Sequence, residues 1–450
     1  MLPFIERKYS RVHVPIEEVD LFVRYLRRKP GRGLCIVYRV GSVDTAPGRR
    51  THRAQCTPGL DRWVTVTISE PTPRVNVTVQ RFPDDVNLPA LAECCAPNPG
   101  SPVLAALERA ARIYMSDHSW NVLSATAEPV RYKPASRCVI RYRLVLERST
   151  PAGVQQQHVT LFGKLYRDPE TARSVHSTMQ GLYAEQEQTD RPMIPRPLAI
   201  AETLGLSLSE AVPPAADGRP SSSRAGSSLM RPRFVRGSGG RILELIIPDE
   251  ELRLTATALA RLHSSQVQPS ATPRTGTTEA QRVVERAALI AAGNPAQAQD
   301  VQHCGHELAR RLEQLRPPQY APAHGGFKAS QLLFGDQQVF VVDLDGFCPA
   351  DPALDVGYFL AYLRPTALWY GRDGMRQWYE AAAATFIDAY ARASSRRGVD
   401  DGLIRGILER TCLYQAALLF KIAARRVNRV NSPRSGELSA MLAEIARLVG

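Results

Sequence analysis

The sequence predicts an α+β fold with a β-rich first half and a helical second half. Strand-like apolar runs crowd the first half, at 34–40, 63–68, 74–80, 137–147 and 158–166. Helical spacing takes over from Pro248. Between the two, residues 213–241 are rich in Pro, Ser and Gly and carry six Arg against one Asp. Such a composition has too little apolar surface to order itself and reads as a flexible insertion. A chain of 450 residues supports two or three cores. The expected division is an N-terminal α+β extension over 1–118, a strand-rich region over 119–212, a flexible basic insertion over 213–247, and a helical region over 248–450.

Composition excludes several classes. Apolar content of 44% and charged content of 22% are those of a soluble globular protein. There is no run of 18 apolar residues, and the start MLPFIERKYSRVHV lacks the apolar stretch of a signal peptide, so a cytoplasmic protein with no membrane partner is expected. Eight scattered cysteines without a CxxC pair predict reduced thiols. His303, Cys304 and His306 make a short metal-like cluster, but no second ligand pair follows. The net charge of +13 is carried by 51 Arg against only 6 Lys. No finger, heptad or recognition-helix signature accompanies that charge, so a nucleic-acid partner is not expected.

Taken in order, residues 1–118 predict strands separated by Gly-, Pro- and Arg-rich turns, then a helix over 102–115 with Leu104, Leu107, Ala111 and Tyr114 at helical spacing. Ser101 is its N-cap and Pro102 sits in its first turn. The segment FPDDVNLPAL (82–91) suggests no chemistry of its own. The runs 137–147 and 158–166 flank a polar turn and should pair as a hairpin, with Lys164 near the end of the second and a helix following over 170–186. The preceding turn, RYKPASR (131–137), gathers Lys133, Ser136 and Arg137; it suits either a phosphate or plain solvent. Two short strands follow in 193–212, ending at Glu210, Ala211 and Val212. Helices are expected over 249–264, 278–292, 301–315, 374–393 and 402–427.

The stretch that organises the chain is His324–Gly357: a polar loop, a strand, a tight turn, a second strand, an acidic turn and a helix start. Asp343 and Asp345 leave the end of the apolar run VFVV together, beside a loop bearing Lys328 and Gln331. Carboxylates at a strand end next to such a loop suit a hard cation and a phosphate. The same spacing also fits a β-hairpin with a solvated acidic turn.

This block resembles the aminoglycoside phosphotransferase and choline kinase superfamily, whose members carry H-G-D-x-x-x-x-N, a strand ending in I-D-x-x, and D-P-x-x-D-L. His324 and Gly325 match the first element, Asp343 the second, and Asp351, Pro352 and Asp355 the third. Gly326 stands where the catalytic Asp is expected and Gln331 where the metal-binding Asn is expected, so the catalytic loop is degenerate. The resemblance implies a bilobal protein-kinase-like fold binding ATP and Mg2+, with an unidentified small-molecule acceptor. It implies magnesium on Asp343 and Gln331, Asp345 as a secondary ligand or substrate-positioning group, His324 and Lys328 in the catalytic loop, and Asp351 and Asp355 as its supports. It further implies that Lys164 meets the nucleotide phosphates and pairs with Glu185 or Glu187. Lys133, Ser136 and Arg137 would cover those phosphates, and Glu210 and Val212 would meet the adenine edge. Two functions follow: an ATP-dependent small-molecule phosphotransferase, or a nucleotide-binding pseudokinase.

Overall fold

The computed structural model describes residues 19–29, 33–42, 63–69, 76–187, 192–212, 225–236, 242–335, 337–427 and 435–450. The chain divides into two compact units, Met1–Ala172 with Leu198–Leu208, and Arg173–Pro197 with Ser209–Gly450.

In the first unit, β1 (Val19–Lys29), β2 (Gly33–Ser42), β3 (Trp63–Ser69) and β4 (Asn76–Arg81) pair antiparallel in sequence order. Helix α1 (Pro102–Met115) follows, capped by the Ser101 hydroxyl accepting from Leu104 N–H at 3.3 Å. Then come β5 (Asn121–Lys133), β6 (Arg137–Thr150) and β7 (Gly153–Tyr166), and later β8 (Pro197–Ala201) and β9 (Leu206–Glu210), in the sheet order β5-β6-β7-β9-β8. Alternate β6 residues Cys138, Ile140, Tyr142, Leu144 and Leu146 are buried, as a strand with one covered face requires. The cover is α1, through Val103, Ala106, Leu107, Ala110 and Ala111, together with Phe82, Leu88 and Leu91. Residues 82–115 share one hydrophobic core with the sheet that follows them.

Helix α2 (Pro169–Glu187) leads into the second unit. Its helices are α3 (Asp249–His263), α4 (Gly276–Gly293), α5 (Ala298–Glu313), α6 (Ala353–Leu363), α7 (Met375–Ser395), α8 (Asp401–Val427) and α9 (Ser435–Val449). Phe359 of α6 stacks on Phe386 of α7 at 4.2 Å in a core that also holds Trp378 and Phe420. The flexible insertion expected over 213–247 is corrected where that stretch is described. Residues Gly226–Leu229 form a helical turn, and β10 (Arg233–Arg236) pairs with β11 (Ile242–Ile246). Two anchors order it: Met230 is buried, and the Trp378 indole donates to Ile246 O at 3.0 Å. Gly226 lies so close to the chain at Ala329 that a Cβ would stand 2.5 Å from that carbonyl. The remainder of that expectation, 213–224 and 237–241, lies outside the described residues.

The core also buries an ion network. Arg364, 6% exposed, bonds to Glu444 at 3.0 Å and to Gln415 at 2.8 Å, and Arg376 and Arg447 reach the same carboxylate at 3.0 and 2.8 Å. Burial pushes the Glu444 carboxyl up, and these arginines more than offset it, leaving it at about 2 against an ordinary 4.5. A carboxyl depressed on folding contributes stability above its unfolded pKa and loses it as pH falls through the folded one. The contribution is on the order of 3 kcal/mol. The melting temperature should hold from neutral pH down to about 5 and then fall steeply toward pH 2. A pH series of thermal melts checks this, and Glu444→Gln should show a shallower fall from a lower plateau.

No helix among the described residues is long and apolar enough to cross a membrane. Cys94, Cys95, Cys138, Cys304, Cys348 and Cys412 are free thiols, and burial pushes those of Cys94, Cys95 and Cys138 up, away from reactivity.

Candidate active site

Two short strands frame the loop. β12 (Ala321–Ala323) pairs antiparallel with β15 (Cys348–Ala350), so residues 324–331 leave one strand as α6 begins just past the other. That brings Asp355, fully buried in the first turn of α6, beneath the loop. Its Oδ2 accepts from the His324 and Gly325 amides at 2.6 and 3.4 Å, and its Oδ1 accepts from the Phe327 amide at 3.4 Å. Burial pushes this carboxyl up; neighbouring His263, then His324 and Arg274, more than offset it, so it stays below the usual carboxylate range. Asp351, also fully buried, binds Arg410 at 2.6 Å and caps Ala353 N–H at 3.1 Å, tying the start of α6 to α8.

The paired glycines differ in what they tolerate. Gly325 has φ +70°, and a Cβ there would run into the Gly346 carbonyl, so the turn requires glycine. A Cβ at Gly326 would meet only His324 Nδ1, at 4.0 Å. His324 is buried, with Nε2 lying 3.2 Å from Val342 O. A carbonyl can only accept, so Nε2 carries a proton. Nδ1 has no hydrogen-bond partner among the described residues.

After the loop, β13 (Leu332–Phe334) pairs with β14 (Val339–Val341), and Val342 N–H donates to Gln331 O at 2.9 Å. This register sets Gln331 against Asp343: Gln331 Nε2 lies 3.4 Å from Asp343 Oδ2. Gln331 Oε1 is buried and without a hydrogen-bond partner among the described residues. An orphaned carbonyl oxygen beside a carboxylate is the donor set of a hard cation, so these residues fit a divalent ion such as magnesium or calcium. Asp343 holds φ +72°, a left-handed conformation costing on the order of 1–3 kcal/mol for a residue with a side chain. Asp345 sits half-buried in the following turn. Among the described residues no cluster of three or more His, Cys, Asp or Glu could hold an ion, the 303–306 stretch included. Phosphate oxygens and water would have to complete the shell. Lys328 places its ammonium 5.2 Å over the ring of Tyr362.

In the first unit the ends of β5, β6 and β7 gather Lys133, Ser136, Arg137 and Lys164. Lys133 pairs across the strands with Arg137, and Val139 with Lys164. Lys164 lies 5.1 Å over the Tyr166 ring. The turn itself is held by a residue to which sequence reasoning assigned no role. Buried Asp85 accepts from Tyr132 Oη and the Ala135 amide, each at 2.7 Å, and Ala135 takes the left-handed φ of 56°. The signal was there in the adjacent carboxylates of FPDDVNLPAL, between apolar residues that bury themselves.

In the second unit, both oxygens of Glu185 are engaged by the segment after α3, from Ser265 Oγ and the Gln266 amide at 2.7 Å each. Glu210 closes on Arg196, accepting from its amide at 2.9 Å and donating its own amide to Arg196 O at 3.0 Å, and Val212 is buried. The residues His324, Gly326, Lys328, Gln331, Asp343, Asp345, Asp351 and Asp355 all belong to this unit.

The model of the phosphotransferase enzyme family matches residues 153–401, more than half of the chain. The chain belongs to that family. The matched span runs from the start of β7, through the loop and Asp355, to the start of α8. The chain's fold is α+β, with a five-stranded sheet in the first unit and a mainly helical second unit. Among solved structures it is similar to a glucosamine kinase at 18% identity and TM-score 0.45, covering 98% of this chain and 96% of the other. A Plasmodium vivax ethanolamine kinase is similar at 10% identity and TM-score 0.43, covering 82% and 95%. A macrolide 2′-phosphotransferase from Brachybacterium faecium is similar at 14% identity and TM-score 0.36, covering 72% and 99%. These likenesses assign no acceptor to this chain. No curated protein matches the sequence.

Proposed function

We propose that this phosphotransferase binds ATP with magnesium and transfers the γ-phosphate to the hydroxyl of a small molecule, slowly for want of a carboxylate at 326. The observation that carries the proposal is the Gln331–Asp343 pair. It combines a buried unpartnered oxygen, an adjacent carboxylate and a strained backbone held in place by a hairpin. Bound there, magnesium would neutralise phosphate charge. The chain's own residues do the rest. Asp355 fixes the loop amides, and Lys164, Lys133 and Arg137 supply positive charge at the sheet end. Such transfer depends mostly on positioning and charge neutralisation, so loss of a base slows the reaction without forbidding it.

A second reading, a nucleotide-binding pseudokinase, is favoured by Gly326 itself, where the acceptor's proton would find no side chain. Both readings require nucleotide binding. Titrating ATP with magnesium should raise the melting temperature of the parent chain, and Lys164→Ala and Asp343→Ala should each erase the rise. An unmoved melting temperature at millimolar nucleotide would refute both. ADP release measured across a panel of acceptors then separates them.

A further inference from the structure

Positive charge is concentrated beside the loop. Arg274 donates to the Gly325 carbonyl and to Glu279, the latter at 2.6 Å, and Arg282 pairs with the same carboxylate. Arg286 lies next to them, its pKa pushed down by burial. From α8, Lys421 donates to Tyr358 Oη at 2.6 Å and lies 4.6 Å over that ring, while Arg274 lies 5.5 Å over the same ring. Tyr362, whose ring centroid is 6.5 Å from that of Tyr358, accepts from Arg425 at 2.8 Å and lies under Lys328. The positive groups thus reach the chain at residue 325 and again at 328, straddling Gly326.

Of these cations, Arg274 and Arg282 share the single carboxylate of Glu279, while Lys421 and Arg425 donate to tyrosine hydroxyls. Asp355 is committed to the loop amides, and Asp351 to Arg410. Cation–π contacts with two tyrosines offset part of the repulsion and desolvation that like charges meet in a half-buried site. The cluster is not sealed: the Arg282 side chain is 42% exposed and Arg425 is exposed. Clustered cations with exposed members beside the loop are arranged to receive an anion.

We infer that the acceptor of this phosphotransferase carries an anionic group, a carboxylate or a phosphate, seated among Arg282, Arg286, Lys421 and Arg425 with its hydroxyl toward Gly326. This rests on the phosphotransfer reading of the loop. Arginine forks match carboxylate and phosphate oxygens bidentately. The matched probes are gluconate and glucose 6-phosphate as anions, sorbitol as the neutral polyol and glucamine as the cation. Binding of each to the full chain is followed by calorimetry with and without Mg-ATP. The anions should bind about tenfold or more tighter than sorbitol, with glucamine weakest, and the difference should shrink as salt rises. Arg425→Gln, at the exposed rim, and Lys421→Met should each reduce that preference severalfold while the folded circular-dichroism spectrum is kept. Gluconate ahead of the phosphate ester, or the reverse, identifies which anion the site takes. Equal binding of sorbitol and the anions overturns the inference, as does no binding by any probe up to tens of millimolar. An anion preference untouched by either variant also overturns it, since the net positive surface would then be responsible. Mg-ATP binding without anion preference removes the inference alone. Anion preference without Mg-ATP binding removes the phosphotransfer reading instead.

Discussion

Gly326→Asp raises ATP turnover by about 10²–10⁴-fold over the parent chain, the usual worth of a positioned general base. The expectation rests on geometry at two adjacent residues. Gly325 is locked into a glycine-only turn, but Gly326 is not: its backbone lies outside the left-handed region and a Cβ would have only His324 Nδ1 nearby, at 4.0 Å. A carboxylate can therefore be added without moving the loop. Asp355 already fixes the amides on either side of it, at His324, Gly325 and Phe327. The gain should be in kcat rather than in nucleotide affinity, because the new group would act on the acceptor's proton and not on the phosphates. ADP release by parent and variant, with water and with an acceptor, measures it. If Mg-ATP binds both proteins and neither turns over, the site lacks more than its base.

Asp355→Ala destabilises the second unit by about 3–5 kcal/mol, the cost of breaking a buried ionic hydrogen-bonded group. The carboxylate is fully buried, and the amides of His324, Gly325 and Phe327, with His263 3.6 Å away, would lose their acceptor together. Alanine leaves a cavity and several orphaned donors in one step. Equilibrium denaturation of the variant reads this as a lower midpoint. A loss under about 1 kcal/mol, the worth of a single ordinary hydrogen bond, would mean that the loop is held by something else. Asp355→Asn should fall between the two, since its amide restores the volume and one acceptor oxygen.

The α+β class and most helices were legible because their signals are local. Ser101 caps α1 and its apolar stripe faces the sheet; the runs 137–147 and 158–166 pair as adjacent strands. The 324–357 block was legible as a motif, its residues lying close in sequence. What the sequence hid was long-range. The ordering of the turn at Gly226–Leu229 and of the pair β10–β11 depends on Met230 and Ile246 meeting partners remote in the chain, Trp378 among them, and no local composition reports that. The same holds for the single core formed by 82–115 with the sheet, and for Asp85 beneath the turn at Ala135. The contacts of Glu185 were equally hidden: its carboxylate accepts from Ser265 and Gln266, far along the chain.

Lysine usage has a practical consequence. The chain has 6 lysines, and Lys133, Lys164, Lys328 and Lys421 all fall in the segments discussed above. Lys421 gives up its proton more readily than an ordinary lysine, because burial reduces its proton affinity although the Tyr358 phenol partly restores it. Amine-directed acylation is therefore close to a site-selective chemistry on this protein. In a chain whose remaining positive charge is almost all guanidinium, mass spectrometry of a few modified peptides would map ligand protection at single-residue detail. The arginine-rich surface that makes the charge hard to read by sequence is what keeps the chemical background low.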